Sequence, residues 1–133
     1  MADKVKFTIP GKPEYIAMVR LAVGSIADTS GFNVEEIEDI KTAVGQACMN
    51  ISCHGNEGLL SEYELECISD KDFLEIYVTD TGSVEGAGEL SMHCKDCPNE
   101  GDLGVYVVQT LMSEVELIEN PNHKKTIKMV KRK

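Results

Sequence analysis

A chain of 133 residues with 42% hydrophobic and 27% charged residues has the size and balance of one soluble domain with a real core. Thirteen basic residues face 23 acidic ones, for a net charge of −10, and Lys124, Lys125, Lys128, Lys131, Arg132 and Lys133 crowd at the end. The body before them is strongly acidic and repels nucleic acid. No apolar run approaches the roughly 20 residues that cross a bilayer, so a membrane role is not expected. The opening Met-Ala-Asp-Lys-Val-Lys has no apolar signal core, and the expected location is the cytoplasm.

The elements follow in chain order, as a single domain over 1–133. Lys4 to Ile9 alternates, with Val5, Phe7 and Ile9 on one face, and predicts a strand ending at Pro10. Pro13 to Thr29 predicts a helix, with Pro early and apolar residues at Ile16, Val19, Val23, Ile26 and Ala27. Gly31 closes it. Asn33 suits the N-cap of a second helix, with Glu35 and Glu36 at its positive dipole end. Gly55 and Gly58 end that helix. Tyr63–Ser69 and Phe73–Val78 predict an antiparallel hairpin joined at Ser-Asp-Lys-Asp. Residues 83–100 show no periodicity, and a stretch of this length suits a functional lid. Leu103–Met112 predicts a third helix. Val115–Ile118 and Lys125–Lys131 predict two last strands, separated by a turn at Asn120-Pro-Asn-His. The order β-α-α-β-β-lid-α-β-β predicts an α/β (α+β) two-layer sandwich, a mixed, mostly antiparallel sheet with three helices on one face.

Five cysteines, an odd count with no secretory signal, argue against a disulfide framework. Cys94 and Cys97 form one CxxC pair beside His93. A structural zinc site usually takes a second such pair, so free thiols are the better reading.

The second helix carries two faces. Ile37, Ile40, Val44, Ala47, Cys48 and Ile51 recur at three and four and form a core stripe. Gln46, Asn50 and His54 recur at four and stack on another face. Such a face is commonly just solvated. Asn is nevertheless a poor mid-helix residue, which suggests selection for something besides helix stability.

Two short boxes follow. Asp80-x-Gly82 comes straight after a strand, where a carboxylate can accept from an exocyclic amine and the glycine lets backbone approach a ring. Gly101-x-x-Gly104 opens a helix, where free amides and the dipole favour phosphate. Each alone is weak, since most such triplets are turns and glycine near a helix start is ordinary.

Together, in this order, they resemble the GHKL nucleotide-binding (Bergerat) fold, a histidine-kinase-like ATPase. More narrowly the chain resembles the RsbW-like anti-sigma factor and serine-protein kinase family. The likeness runs from Ile9-Pro-Gly-Lys-Pro-Glu-Tyr through Glu36-Ile-Glu-Asp-Ile-Lys-Thr-Ala-Val and Asn50-Ile-Ser-Cys-His-Gly to Thr126-Ile-Lys-Met. It implies ATP or ADP with Mg²⁺ as cofactor. By that resemblance Asn50 would coordinate the Mg²⁺. Asp80, with Gly82 beside it, would accept from the adenine amino group. Gly101 and Gly104 would lie along the lid and phosphates, and Thr126 near the adenine through water. His54 matches a histidine that often follows the Asn in this family and is given no chemical role. The implied partners are a sigma factor and a STAS-type anti-sigma antagonist, and the family includes homodimers.

Two departures bear on activity. The family's kinases carry Glu four residues before the Asn, thought to activate the substrate serine; here that position is Gln46. An amide cannot take a proton, though it can hydrogen-bond. Asp102 sits where a small residue is usual and brings negative charge towards the phosphates. The leading expectation is an ATP-binding anti-sigma factor that sequesters a sigma factor and phosphorylates a serine of the antagonist. The alternative is a catalytically weak or inactive nucleotide-binding module. A redox or metal protein built on Cys94 and Cys97 has least support.

Overall fold

The computed structural model describes residues 2–10, 12–53, 62–80, 101–119 and 125–133, with residues 13, 50–53, 80, 101–105, 119 and 125 followed along the backbone only. The elements are β1 (Asp3–Pro10), a single 3-10 turn (Pro13–Tyr15), α1 (Ile16–Ser30), α2 (Val34–Cys53), β2 (Glu62–Ser69), β3 (Phe73–Asp80), α3 (Gly101–Leu111), β4 (Glu114–Glu119) and β5 (Lys125–Arg132). Every element expected from the sequence within these residues is present, with ends shifted by a few positions. The first helix starts three residues late because Pro13–Tyr15 winds as the tighter turn. The expected lid at 83–100 and the turn at 120–123 lie outside the described residues.

The helix ends follow local chemistry. Asn33 Oδ1 accepts from the Glu36 amide at 2.8 Å, and Glu36 Oε1 accepts from the Asn33 amide at 3.0 Å. This reciprocal capping box satisfies two amides before α2 begins. Gly31 ends α1 in the left-handed region, at φ 97°, and the next amide, of Phe32, reaches back to the Ala27 carbonyl at 3.2 Å.

The five strands form one sheet in the order β1-β2-β3-β5-β4. All four pairings are antiparallel, so among the described residues the sheet is not mixed as the sequence suggested. The α/β two-layer sandwich holds: α1 packs on β2, α2 on β2, β3 and β5, and α3 against α2 and β4. Period-two alternation sends Ile9, Tyr63, Leu65, Cys67, Leu74, Ile76, Val78, Ile127 and Met129 towards the helices. They meet Val19, Val23 and Ala27 of α1 and Ile40, Val44, Ala47 and Cys48 of α2 in one core. The opposite face is open and charged, with Lys4–Glu66 and Lys6–Glu64 pairs 3.4 and 3.9 Å apart across β1 and β2. Among the described residues no helix is long and apolar enough to cross a membrane.

Candidate functional site

The sequence-predicted residues among those described fall on α2, β3, α3 and β5. Gln46 is half-buried on α2, and Asn50 follows it one turn later, on the same helix face by the helical repeat. Cys48, between them, is wholly buried on the sheet side of the helix. Asp80 is the last residue of β3 and the register partner of Tyr63. Tyr63 is wholly buried under the helices, so Asp80 holds a helix-facing position of its strand. Gly101 and Gly104 lie in the first turn of α3, which packs beside α2. Gly82, His54, Cys94 and Cys97 lie outside the described residues.

Thr126 does not join them. It is the register partner of Thr79, and the two hydroxyls stand 3.1 Å apart. Their strand neighbours Val78 and Ile127 are the buried, helix-facing pair. With a side-chain period of two, Thr79 and Thr126 face the other way. By register Thr126 lies on the sheet face opposite Ile127 and Met129, and it is buried there.

Sequence reasoning missed Tyr63. Its ring was legible as one more inward residue of an alternating strand. Its hydroxyl is the exception: among the described residues it is the buried side-chain polar atom with no hydrogen-bond partner. Leaving such a group unsatisfied costs about 1–3 kcal/mol. The Cys48 thiol is its neighbour, and a thiol is a weak partner. Burial, and then the neighbouring Cys48, push the Tyr63 phenol well above its ordinary range. Burial likewise pushes the Cys48 and Cys67 thiols up to about 12. Both are free and protonated at neutral pH, and neither is a nucleophile.

Other features do not compete for the role. No group of three His, Cys, Asp or Glu side chains that could hold a metal occurs among the described residues. An open groove lined by Glu114, Val115, Glu116, Lys128 and Val130 belongs to β4 and β5, away from α2.

A mononucleotide with Mg²⁺ fits what is present. A neutral amide residue on α2, a carboxylate at the end of β3 and the amide-rich start of α3 match metal, base and phosphate in turn.

The comparisons with known proteins agree with this fold. Residues 9–131 match the histidine kinase-like ATPase domain family, which defines the class of the chain. In structure, a chain of the SiaB–SiaC complex from Pseudomonas aeruginosa superposes with a TM-score of 0.61 at 13% identity. That match covers 96% of this chain and 88% of the other, and so shares the fold. In sequence, the chain is 39% identical over 129 residues to the serine-protein kinase RsbW of Bacillus pumilus, covering 89% of this chain and 80% of that one. RsbW of Bacillus licheniformis is 36% identical over 125 residues, covering 87% and 78%. The chain belongs to the RsbW-like branch of the histidine kinase-like ATPases.

Proposed function

We propose that the protein is an ATP-binding anti-sigma factor of the partner-switching kind, which sequesters a sigma factor and phosphorylates a serine of a STAS-type antagonist. The observation that carries this reading is its 39% identity, over nearly the whole chain, to a serine-protein kinase. The order of Gln46 and Asn50 on α2, Asp80 at the end of β3 and Gly101 at the start of α3 supports it.

In this reading Asp80 accepts from the adenine amino group, and Asn50 contributes its amide oxygen to Mg²⁺. Amides at the start of α3 take the phosphates. ATP, when bound, supplies the γ-phosphoryl group. Gln46 orients the acceptor serine by hydrogen bonding but leaves its proton for solvent or phosphate to remove. Phosphoryl transfer depends mostly on positioning and electrostatics, so slow activity survives without a base. Thr126 is given no part. The acidic body suits partners with basic or mixed helical surfaces, and the work is cytoplasmic.

The test is calorimetry with Mg-ATP, followed by incubation with the antagonist and detection of phosphoserine. Nucleotide binding with slow phosphorylation is expected. Asp80→Asn should weaken adenine selectivity, and Asn50→Ala should weaken Mg²⁺-dependent binding more than metal-free binding. Absence of ATP or ADP binding at millimolar nucleotide would overturn the reading.

A further inference from the structure

We infer that the open face of the sheet docks a second copy of this chain, the two sheets meeting face to face about a two-fold axis along β3. The inference does not rest on the nucleotide reading.

The described helices pack on one side of the sheet, and no described element covers the other. Two cross-strand rows lie on that open side. In the first, Lys6 of β1, Glu66 of β2, Tyr77 of β3, Lys128 of β5 and Glu116 of β4 stand opposite one another in turn. Their strand neighbours Leu65, Ile76 and Ile127 are buried towards the helices, which turns this row outwards. The Lys128 ammonium lies over the Tyr77 ring, 5.8 Å from its centre. The second row is Lys4, Ile68, Glu75, Val130 and Glu114. Together the rows hold three lysines and four glutamates, near balance in a chain of net charge −10. An acidic body repels its own copy, and that repulsion is least at a balanced face.

The order of the charges selects one arrangement. Across the sheet the first row runs plus, minus, ring, plus, minus. A two-fold along β3 lays β3 on its own copy, β2 on the copy's β5 and β1 on the copy's β4. Lys6 then faces the copy's Glu116, Glu66 faces the copy's Lys128, and the two Tyr77 rings meet. In the second row Lys4 faces the copy's Glu114, and Ile68 faces the copy's Val130. A two-fold across the strands instead lays each strand on its own copy and sets lysine against lysine on β1. Aligned sheets pack about 10 Å apart with their side chains interdigitated. The open groove along Glu114, Glu116, Lys128 and Val130 receives the copy's Lys4 and Lys6. Within one chain these lysines make only exposed pairs, with Glu66 and Glu64. Such pairs contribute little and exchange readily. One contact opposes the rest: Glu75 meets its own copy on the axis. The helix layer of both copies stays free.

Sedimentation velocity across the micromolar range in low salt should show a dimer that added salt weakens. Lys6→Glu and Glu116→Lys change exposed positions and should melt near the parent temperature. Each alone sets two like-charge pairs across the interface and should weaken the dimer about tenfold or more. Mixed in equal amounts, the two variants should form a heterodimer of parent-like affinity. The two reversed positions then face each other, and so do the two unchanged ones. Rescue between two chains cannot come from pairing inside either one. Glu75→Gln removes the like pair on the axis and should tighten the dimer. Lys4→Glu mixed with Glu114→Lys serves the same purpose if either first variant folds poorly. A protein that stays monomeric across that range overturns the inference. So does a dimer indifferent to the reversals, or one that they weaken and mixing does not restore. Each of these results leaves the nucleotide reading intact.

Discussion

Arg20 of α1 lies across Gly45 of α2: a Cβ placed on Gly45 would stand 3.1 Å from Arg20 Cδ and 3.5 Å from Nε. The missing side chain lets the arginine stem lie flat on the second helix, one residue from Gln46. Arg20 is exposed and carries one of the few positive charges on an acidic body.

Gly45→Ala separates two roles of this contact. Alanine in a helix interior is better than glycine by about 0.8–1 kcal/mol, and the atoms it meets belong to a flexible, exposed side chain. The variant should melt about 4 °C higher. It should also push Arg20 off its resting place. If Arg20 belongs to the partner-binding face of α1, the variant and Arg20→Ala should both bind sigma factor and antagonist more weakly. The sigma factor and antagonist should also displace one another rather than form a ternary complex. Undiminished binding by both variants removes Arg20 from the interface.

Lys131 ties three elements together. Its ammonium donates to the Leu111 carbonyl at the end of α3 at 2.7 Å and stands 3.8 Å from Asp39 of α2. A cation at a helix C-terminus satisfies a free carbonyl and complements the dipole. The side chain is only 15% exposed, so water replaces it poorly. Lys131→Met keeps the stem and should cost about 1–2 kcal/mol in urea unfolding. Asp39→Asn, at the looser and more exposed end, should cost about 0.5 kcal/mol or less.

The buried thiols set an alkaline limit. Folded Cys48 and Cys67 are held up to about 12 against an ordinary value of 9.0. A folded pKa above the unfolded one means the unfolded chain loses its protons first as pH rises. The contribution is therefore intact below pH 9 and lost between about pH 9 and 12. Urea midpoints should fall across that window, and Cys48→Ala with Cys67→Ala should flatten the fall even at lower overall stability. In the folded protein at pH 8 both thiols should resist alkylation.

The fold was legible because its elements carry strong periodicities and explicit stops. Asn33, Gly31 and the alternation of Tyr63, Leu65 and Cys67 were readable one by one. Helix α2 announced both its core stripe and its polar face. The face of Thr126 was not legible, because register depends on which β3 residue it pairs with, and a shift of one residue reverses every side chain. Pairing with Thr79 rather than Val78 settles it. Tyr63 was hidden for a different reason. A strand pattern records that a ring is buried, but not whether its hydroxyl finds a partner. The Arg20–Gly45 contact was equally invisible, since it depends on how two helices cross.

Gln46 bears most directly on activity. It is half-buried on α2, one turn before Asn50. A carboxylate at this position would point to the same site as the proposed metal ligand and could take the serine proton. The amide can only orient the hydroxyl. Gln46→Glu should therefore raise the single-turnover rate of phosphoryl transfer by about 10² or more if the missing base is the sole defect. ATP affinity should hardly change, because the base touches the acceptor and not the nucleotide. Asp102 offers a separate cause, by bringing negative charge to the start of α3. In that case ATP affinity is already poor, Gln46→Glu does little, and Asp102→Ala improves binding first. Measuring affinity and single-turnover rate on the same variants distinguishes the two. Fast turnover by the unchanged protein would show that a glutamate is dispensable at this position and that orientation by Gln46 is enough.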